Sequence, residues 1–318
     1  MLPFLPGLLT ALLCLALALP AASARAETAA KDEAGKDGGS YMGIWTMRQG
    51  SSECRLPVVK TLAEGEPCAE SLAIADPRFV PAREASLPGD EEVFGVRMEG
   101  FTAAFPMRIM AWHEVANFLA DGEKRSLTYC PYADSAVGFS GCTLVPSGQV
   151  SESNLVLTDR ETKSRFVQMD GVAFSGPRTG EKPATFPVTR TTWARWLAAN
   201  PATLVLVPPD GTGWDYDSAP FQAYGDSAAL IFPVSTHGGP LGPKDRVLVV
   251  QNGEKRVAAE IKDFDLRHPQ GLDLTLDARP VRVARDTASG DLAVDGATSF
   301  EADWFAVKAR WPGISLIR

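Results

Sequence analysis

Three segments of the chain recur in the same order, and that recurrence limits the folds open to it more than any other feature. "LPGDEEVFGV" (Leu87–Val96) returns as "LGPKDRVLVV" (Leu241–Val250), each with a turn signal between a leucine and a valine-rich run. "RETKSRFVQMDG" (Arg160–Gly171) aligns without a gap to "RDTASGDLAVDG" (Arg285–Gly296). "WARWLAANPATLVL" (Trp193–Leu206) parallels "WFAVKARWPGISLI" (Trp304–Ile317), with proline at the same distance from the first tryptophan. Matches in one order imply two related units that bury a common kind of core. The halves are residues 41–210 and a shortened second copy, 211–318.

The copies are unequal. Val93 and Arg160 are 67 positions apart, whereas Val247 and Arg285 are 38 apart. Most of a helix expected over Met107–Leu119, and the segment "LTYCPYADSAVGFSGC" (Leu127–Cys142), therefore lack counterparts. What both copies keep reads as scaffold, and what only the first has is where function is sought. Short apolar or alternating runs broken by Gly, Asp and Asn predominate, and helices are few. The expected class is α+β, predominantly β, in two unequal, internally repeated halves.

The first 26 residues are an apolar run ending in small residues, read as a secretory signal peptide cut after Ala24 or Ala26. Residues 27–40 are polar and Gly-rich, a disordered lead-in. No later apolar run has the length of a membrane span. The expected product is periplasmic or secreted, with no membrane partner for the mature chain. With 31 basic against 39 acidic residues and no basic cluster, nucleic acid is excluded as a general partner. Loss of Cys14 with the signal leaves Cys54, Cys68, Cys130 and Cys142, an even number that suggests disulfides in an exported chain. The sequence-local pairing, Cys54–Cys68 and Cys130–Cys142, is the first expectation among three.

Several pieces in order, "VFGVRMEGFTAAFPMRIMAWHEVAN", "LTYCPYADSAVGF", "GVAFSGPRTG", "TTWARWLAANPATLVL", "WDYDSAPF" and "LGPKDRVLVV", resemble the bacterial domain-of-unknown-function family 3179. The resemblance runs from about Leu72 to the C-terminus and implies an uncharacterised protein with no established reaction. The family pattern has a second cysteine three positions after Cys130, where this chain has Ala133. It has aspartate where this chain has Phe118. A site built on a cysteine pair would be altered here.

The first-copy segment "HEVAN" raises a zinc-protease comparison that fails at Asn117, where two-imidazole binding needs histidine. On a continuous helix Met110, His113 and Asn117 share a face, with Met107 and Glu114 flanking it. Thioether, imidazole and thiolate donors suit copper or zinc, so His113, Cys130 and Met110 form one candidate metal set, in a metal- or redox-associated protein. A thiol enzyme is a further alternative, with Cys130 as nucleophile, His113 as base, Asp159 as orienting group and Glu114 beside them. The third reading is a non-catalytic binding or scaffold module held by disulfides, its partner a small molecule, a metal or a protein. There the tryptophans pack the halves together.

Overall fold

The computed structural model describes residues 44–46 and 72–318, apart from Ala219 and Ala288. The signal peptide, the lead-in and the Cys54–Cys68 pairing lie outside the described residues. In chain order the elements are β1 (Ile44–Thr46), β2 (Phe79–Pro81), β3 (Glu92–Met98), β4 (Phe101–Pro106), α1 (Met107–His113), β5 (Val115–Ala120), β6 (Glu123–Cys130) and β7 (Ser135–Ser140). Next come β8 (Leu144–Ser151), β9 (Asn154–Asp159), β10 (Arg165–Val167), β11 (Ala173–Ser175), β12 (Thr185–Phe186), β13 (Thr189–Thr192), α2 (Trp193–Ala199), β14 (Leu204–Leu206) and α3 (Gln222–Gly225). The chain ends with β15 (Arg246–Asn252), β16 (Lys255–Glu260), α4 (Phe264–Arg267), β17 (Leu272–Leu276), β18 (Arg279–Arg285), β19 (Leu292–Asp295), β20 (Thr298–Asp303), α5 (Trp304–Arg310) and β21 (Ser315–Ile317). Strands dominate and the helices are short, an α+β fold that is predominantly β. Among the described residues no helix is long and apolar enough to cross a membrane.

The repeat emerges as topology. One sheet runs β13-β3-β4-β14-β2 and another β20-β15-β16-β21. In both, the central hairpin is antiparallel, the strand before the tryptophan helix pairs antiparallel, and the strand after that helix returns parallel. Each hairpin turns through a glycine with positive φ, Gly100 (69°) and Gly253 (56°), where a side chain would be strained. The tryptophan helices then bury their rings differently. Trp193 and Trp196 pack with Val93, Ala104 and Val205, while Trp304 joins the largest core with Val247, Phe300 and Leu157. The ring of Trp196 lies so flat on β3 that a Cβ at Gly95 would sit 2.2 Å from it.

The first copy carries an extra sheet, β12-β7-β6-β5. Its β5–β6 turn, Asp121-Gly122, has φ of 53° and 75°, the two positive values that a tight twisted hairpin requires. Two expectations are corrected here. The helix stops at His113 instead of running to Leu119, because Glu114 takes φ 60° and the chain leaves as β5. β5 pairs with β6 from Val115↔Thr128 to Ala120↔Glu123, and its other edge bonds Ile74, whose N–H donates to Val115 O at 2.8 Å and whose carbonyl accepts from Asn117 N–H at 2.9 Å. Pairing on both edges outweighs the helical periodicity of the segment. Met110, His113 and Asn117 therefore share no helix face.

The second correction concerns cysteines. Cys130 and Cys142 are free, buried thiols. Cys130 pairs with Ser135 at the tip of the β6–β7 hairpin, while Cys142 lies beyond Ser140, which pairs with Arg125 at the hairpin's other end. Five strand positions at about 3.4 Å each put the two ends roughly 17 Å apart, far past disulfide reach.

Candidate functional site

His113 ends α1 in a buried position. Its Nδ1 lies 2.7 Å from the Leu72 carbonyl and its Nε2 lies 2.6 Å from the Tyr216 hydroxyl. A carbonyl only accepts, so Nδ1 carries the proton and Nε2 accepts from Tyr216. Burial pushes the imidazole down to about 4, against a small opposing contribution from the Leu72 bond, and keeps the ring neutral. Both nitrogens are committed, which leaves no lone pair for a metal and none for a thiol proton.

The other sequence candidates disperse. Met110 is wholly buried in a core with Phe94, Phe105 and Tyr129, whereas Cys130 belongs to a separate core with Leu155 and Phe166. The Cys130 thiol donates to Ser153 O at 3.7 Å, and burial pushes it up to about 12, the opposite of an activated nucleophile. Asp159 accepts from Thr162 Oγ1 at 2.9 Å and from the Glu161 N–H at 3.2 Å, with Arg178 at 3.4 Å, so it caps the β9–β10 turn. Its charge acts on Cys142. Asn117 clamps the start of β8, donating to Leu144 O at 2.9 Å and accepting from Leu144 N–H at 3.0 Å and Ser126 Oγ at 2.7 Å. The set His113, Cys130 and Met110 does not assemble, nor does the triad with Asp159. Among the described residues no three His, Cys, Asp or Glu side chains are placed to hold a metal ion.

Glu114 stands out from that list. Its carboxyl is fully buried in a strained backbone, Oε2 has no hydrogen-bond partner, and burial pushes it up to about 8. Its charge acts on Cys130 and Tyr132, so it faces the "YCPY" strand end.

That strand end continues into a cleft of about 550 Å³ where the two copies meet. Arg190 and Asp303 on its walls belong to no motif in the sequence, yet its charged residues occupy equivalent places in the repeat. Glu92 of β3 corresponds to Arg246 of β15, Arg190 of β13 to Glu301 of β20, and Thr192 to Asp303, as the shared register shows. Arg190 forks onto Glu92 with two bonds of 3.0 Å. Arg246 lies 3.6 Å from Glu92 and 3.5 Å from Glu301. Equivalent strands with opposite charges thus join the copies. The first copy's extra hairpin adds Asp134, which accepts from Arg190 at 2.6 Å and from Tyr129 OH at 2.9 Å. This charge inversion between otherwise matching strands was the signal available in the sequence.

Asp303, also on the cleft wall, is the anomaly. It is 5% exposed and precedes α5 at the N-cap, yet its side chain makes no capping bond. Its N–H donates to Ala133 O at 2.9 Å, which ties the second copy to the hairpin turn. Burial pushes the carboxyl up to about 8, Asp134 adds to the rise, and Lys244, Arg190 and Arg246 oppose it. Lys244 sits over the Tyr224 ring, donates to the Tyr224 carbonyl, and is itself pushed down by burial. A neutral carboxyl and a partly desolvated ammonium therefore share one concave, partly aromatic site, an arrangement suited to moving a proton.

Neither the curated proteins nor the solved structures contain a match to this chain. The family model described as "Protein of unknown function (DUF3179)" matches residues 73–306, from just before β2 through Asp303 and into α5, and the chain belongs to that family.

Proposed function

We propose that the cleft between the copies binds a small polar molecule and that Asp303 acts there as a general acid. The observation that carries this reading is a buried carboxyl on a cleft wall, making no capping bond to α5, whose proton is held to about pH 8. In a hydrolysis, water forms the new bond to the scissile centre as the bond to the leaving-group oxygen breaks; the protonated carboxyl can give that oxygen its proton, and the Lys244 ammonium can stabilise negative charge that develops beside it. Arg190 donates to Asp134 at 2.6 Å, and this ion pair fixes one wall of the site. This reading takes the place of a copper, zinc or redox role at His113 and Cys130. Export through the apolar N-terminus is part of the proposal, supported by the small-residue cleavage pattern.

The test is hydrolysis of chromogenic esters, phosphoesters and glycosides by the wild-type protein and by Asp303→Asn across pH 5 to 10. Turnover of at least one class is expected, falling as pH rises through about 8 because the acid form is lost, and reduced on the order of 100-fold or more in the variant. No turnover of any class, or equal turnover by the variant, would overturn the proposal.

A further inference from the structure

A second cleft, of about 380 Å³, opens on the far side of Arg108, which lines both. Its walls come from the loop at Glu84–Leu87, the end of β14 and the segment "WDYD", Trp214 to Asp217. Trp214 is only half-buried. Its ring is set from within the protein, 5.5 Å from Trp112 at an interplanar angle of 27° and 4.7 Å from His113. The Tyr216 hydroxyl fixes the same segment through His113 Nε2 and lies 3.2 Å from Thr212 Oγ1. The indole is thus pre-positioned, at no cost in ordering when a ligand arrives.

Carboxylates are the commonest polar side chains on these walls, which also carry Ser86, Arg108 and Tyr216. Asp215 and Asp217 are exposed, Asp217 at 88% of its side chain, and Glu84 adds a third carboxylate. The basic residue on the wall, Arg108, is held by Asp217 at 2.7 Å and Glu91 at 3.7 Å. An excess of carboxylates repels phosphates, uronates and nucleic acid. An aromatic face ringed by hydrogen-bond acceptors suits a ligand with an apolar C–H face and a rim of donors.

We infer that the Trp214 cleft is a binding site for a neutral or amino-substituted saccharide, with a sugar ring stacked on the indole and its hydroxyls donating to Asp215, Asp217 and Glu84. The bland alternative is that Trp214 only packs its loop onto α1. The two differ in what a half-exposed ring on a concave wall does in solution.

Calorimetric titration of the full chain with chitotetraose, deacetylated chitotetraose, cellotetraose and tetragalacturonate decides between them. Binding of at least one of the first three is expected, with none by the anionic tetragalacturonate. Trp214→Ala should weaken it tenfold or more, while Trp214→Tyr, which keeps a ring in place, should stay within a few-fold of wild type and guards against a folding defect in the alanine variant. The inference is overturned if no saccharide binds, if tetragalacturonate binds as well as the others, or if both variants bind like wild type. No turnover is read in this titration, so its failure leaves the Asp303 proposal standing, and the reverse holds too.

Discussion

Replacing Asp303 by asparagine should make the protein more stable at neutral pH, and the gain should depend on pH in one direction only. The carboxyl ionises at 3.8 ordinarily and at about 8 in the fold, so between those values the unfolded chain is ionised while the folded chain must keep its proton. For an acid raised in this way, stability is greatest below 3.8 and is lost as pH rises through about 8. Each tenfold change in proton affinity is worth about 1.4 kcal/mol, which puts the ceiling on that loss at about 6 kcal/mol, with about 4 kcal/mol of it already incurred at pH 7. Relaxation around the carboxylate and the neighbouring cations trims this, so about 2–4 kcal/mol is expected at pH 7. Asparagine resembles the neutral acid in shape and carries no such penalty. Urea unfolding of wild type and Asp303→Asn at pH 4, 6, 7 and 8 should show curves that nearly coincide at pH 4 and separate steadily toward pH 8. A variant less stable than wild type at pH 8, or a difference unchanged across the series, would refute the reasoning. A group that destabilises the protein under working conditions is what a site selected for chemistry is expected to contain.

Two other outcomes test the fold beneath the site. Thiol labelling followed by peptide mapping should leave Cys130 and Cys142 unmodified in the native protein at pH 8 and modify both after denaturation, since each is buried with its thiol pushed up to about 12; a Cys130–Cys142 bridge in mapped peptides would contradict the hairpin register. Gly95→Ala should destabilise by about 3 kcal/mol or more, measured by thermal unfolding, because the new methyl would meet the Trp196 ring at 2.2 Å. An alanine variant of wild-type stability would mean that α2 does not lie on β3 as described.

The candidate site was legible only in part, and the reason differs by residue. "HEVAN" has the residue types of a metal or catalytic helix, but residue type alone does not say which atoms are left free. His113 spends both nitrogens on holding Leu72 and Tyr216. The strand end after Tyr129 carries the expected candidate, Cys130, but that thiol is buried in a core and it is Asp134 of the hairpin turn that lines the cleft. Asp303 carried no signal of its own in the linear chain. It stands where the first copy has Thr192, an ordinary helix-capping exchange, and becomes chemically unusual only when Lys244, Asp134 and the hairpin turn close around it.

By itself, the sequence determined the β-rich class and the duplication, because hydrophobic alternation, glycine turns and the spacing of tryptophan to proline are local properties that survive in each copy. Two sheets that share a four-strand order, the first with β2 added at its edge, are the counterpart in the fold. Tertiary structure alone decided where α1 ends, which cysteines stay apart and which charges meet. Periodicity reports that a face is buried but not against what, so the pairing of Val115–Ala120 with β6 and the bond to Ile74 could overrule a helical pattern. The cleft is a case of the same rule: Glu92 and Arg246, which meet on its wall, are 154 positions apart in the chain, and only the packing of one copy on the other makes them neighbours.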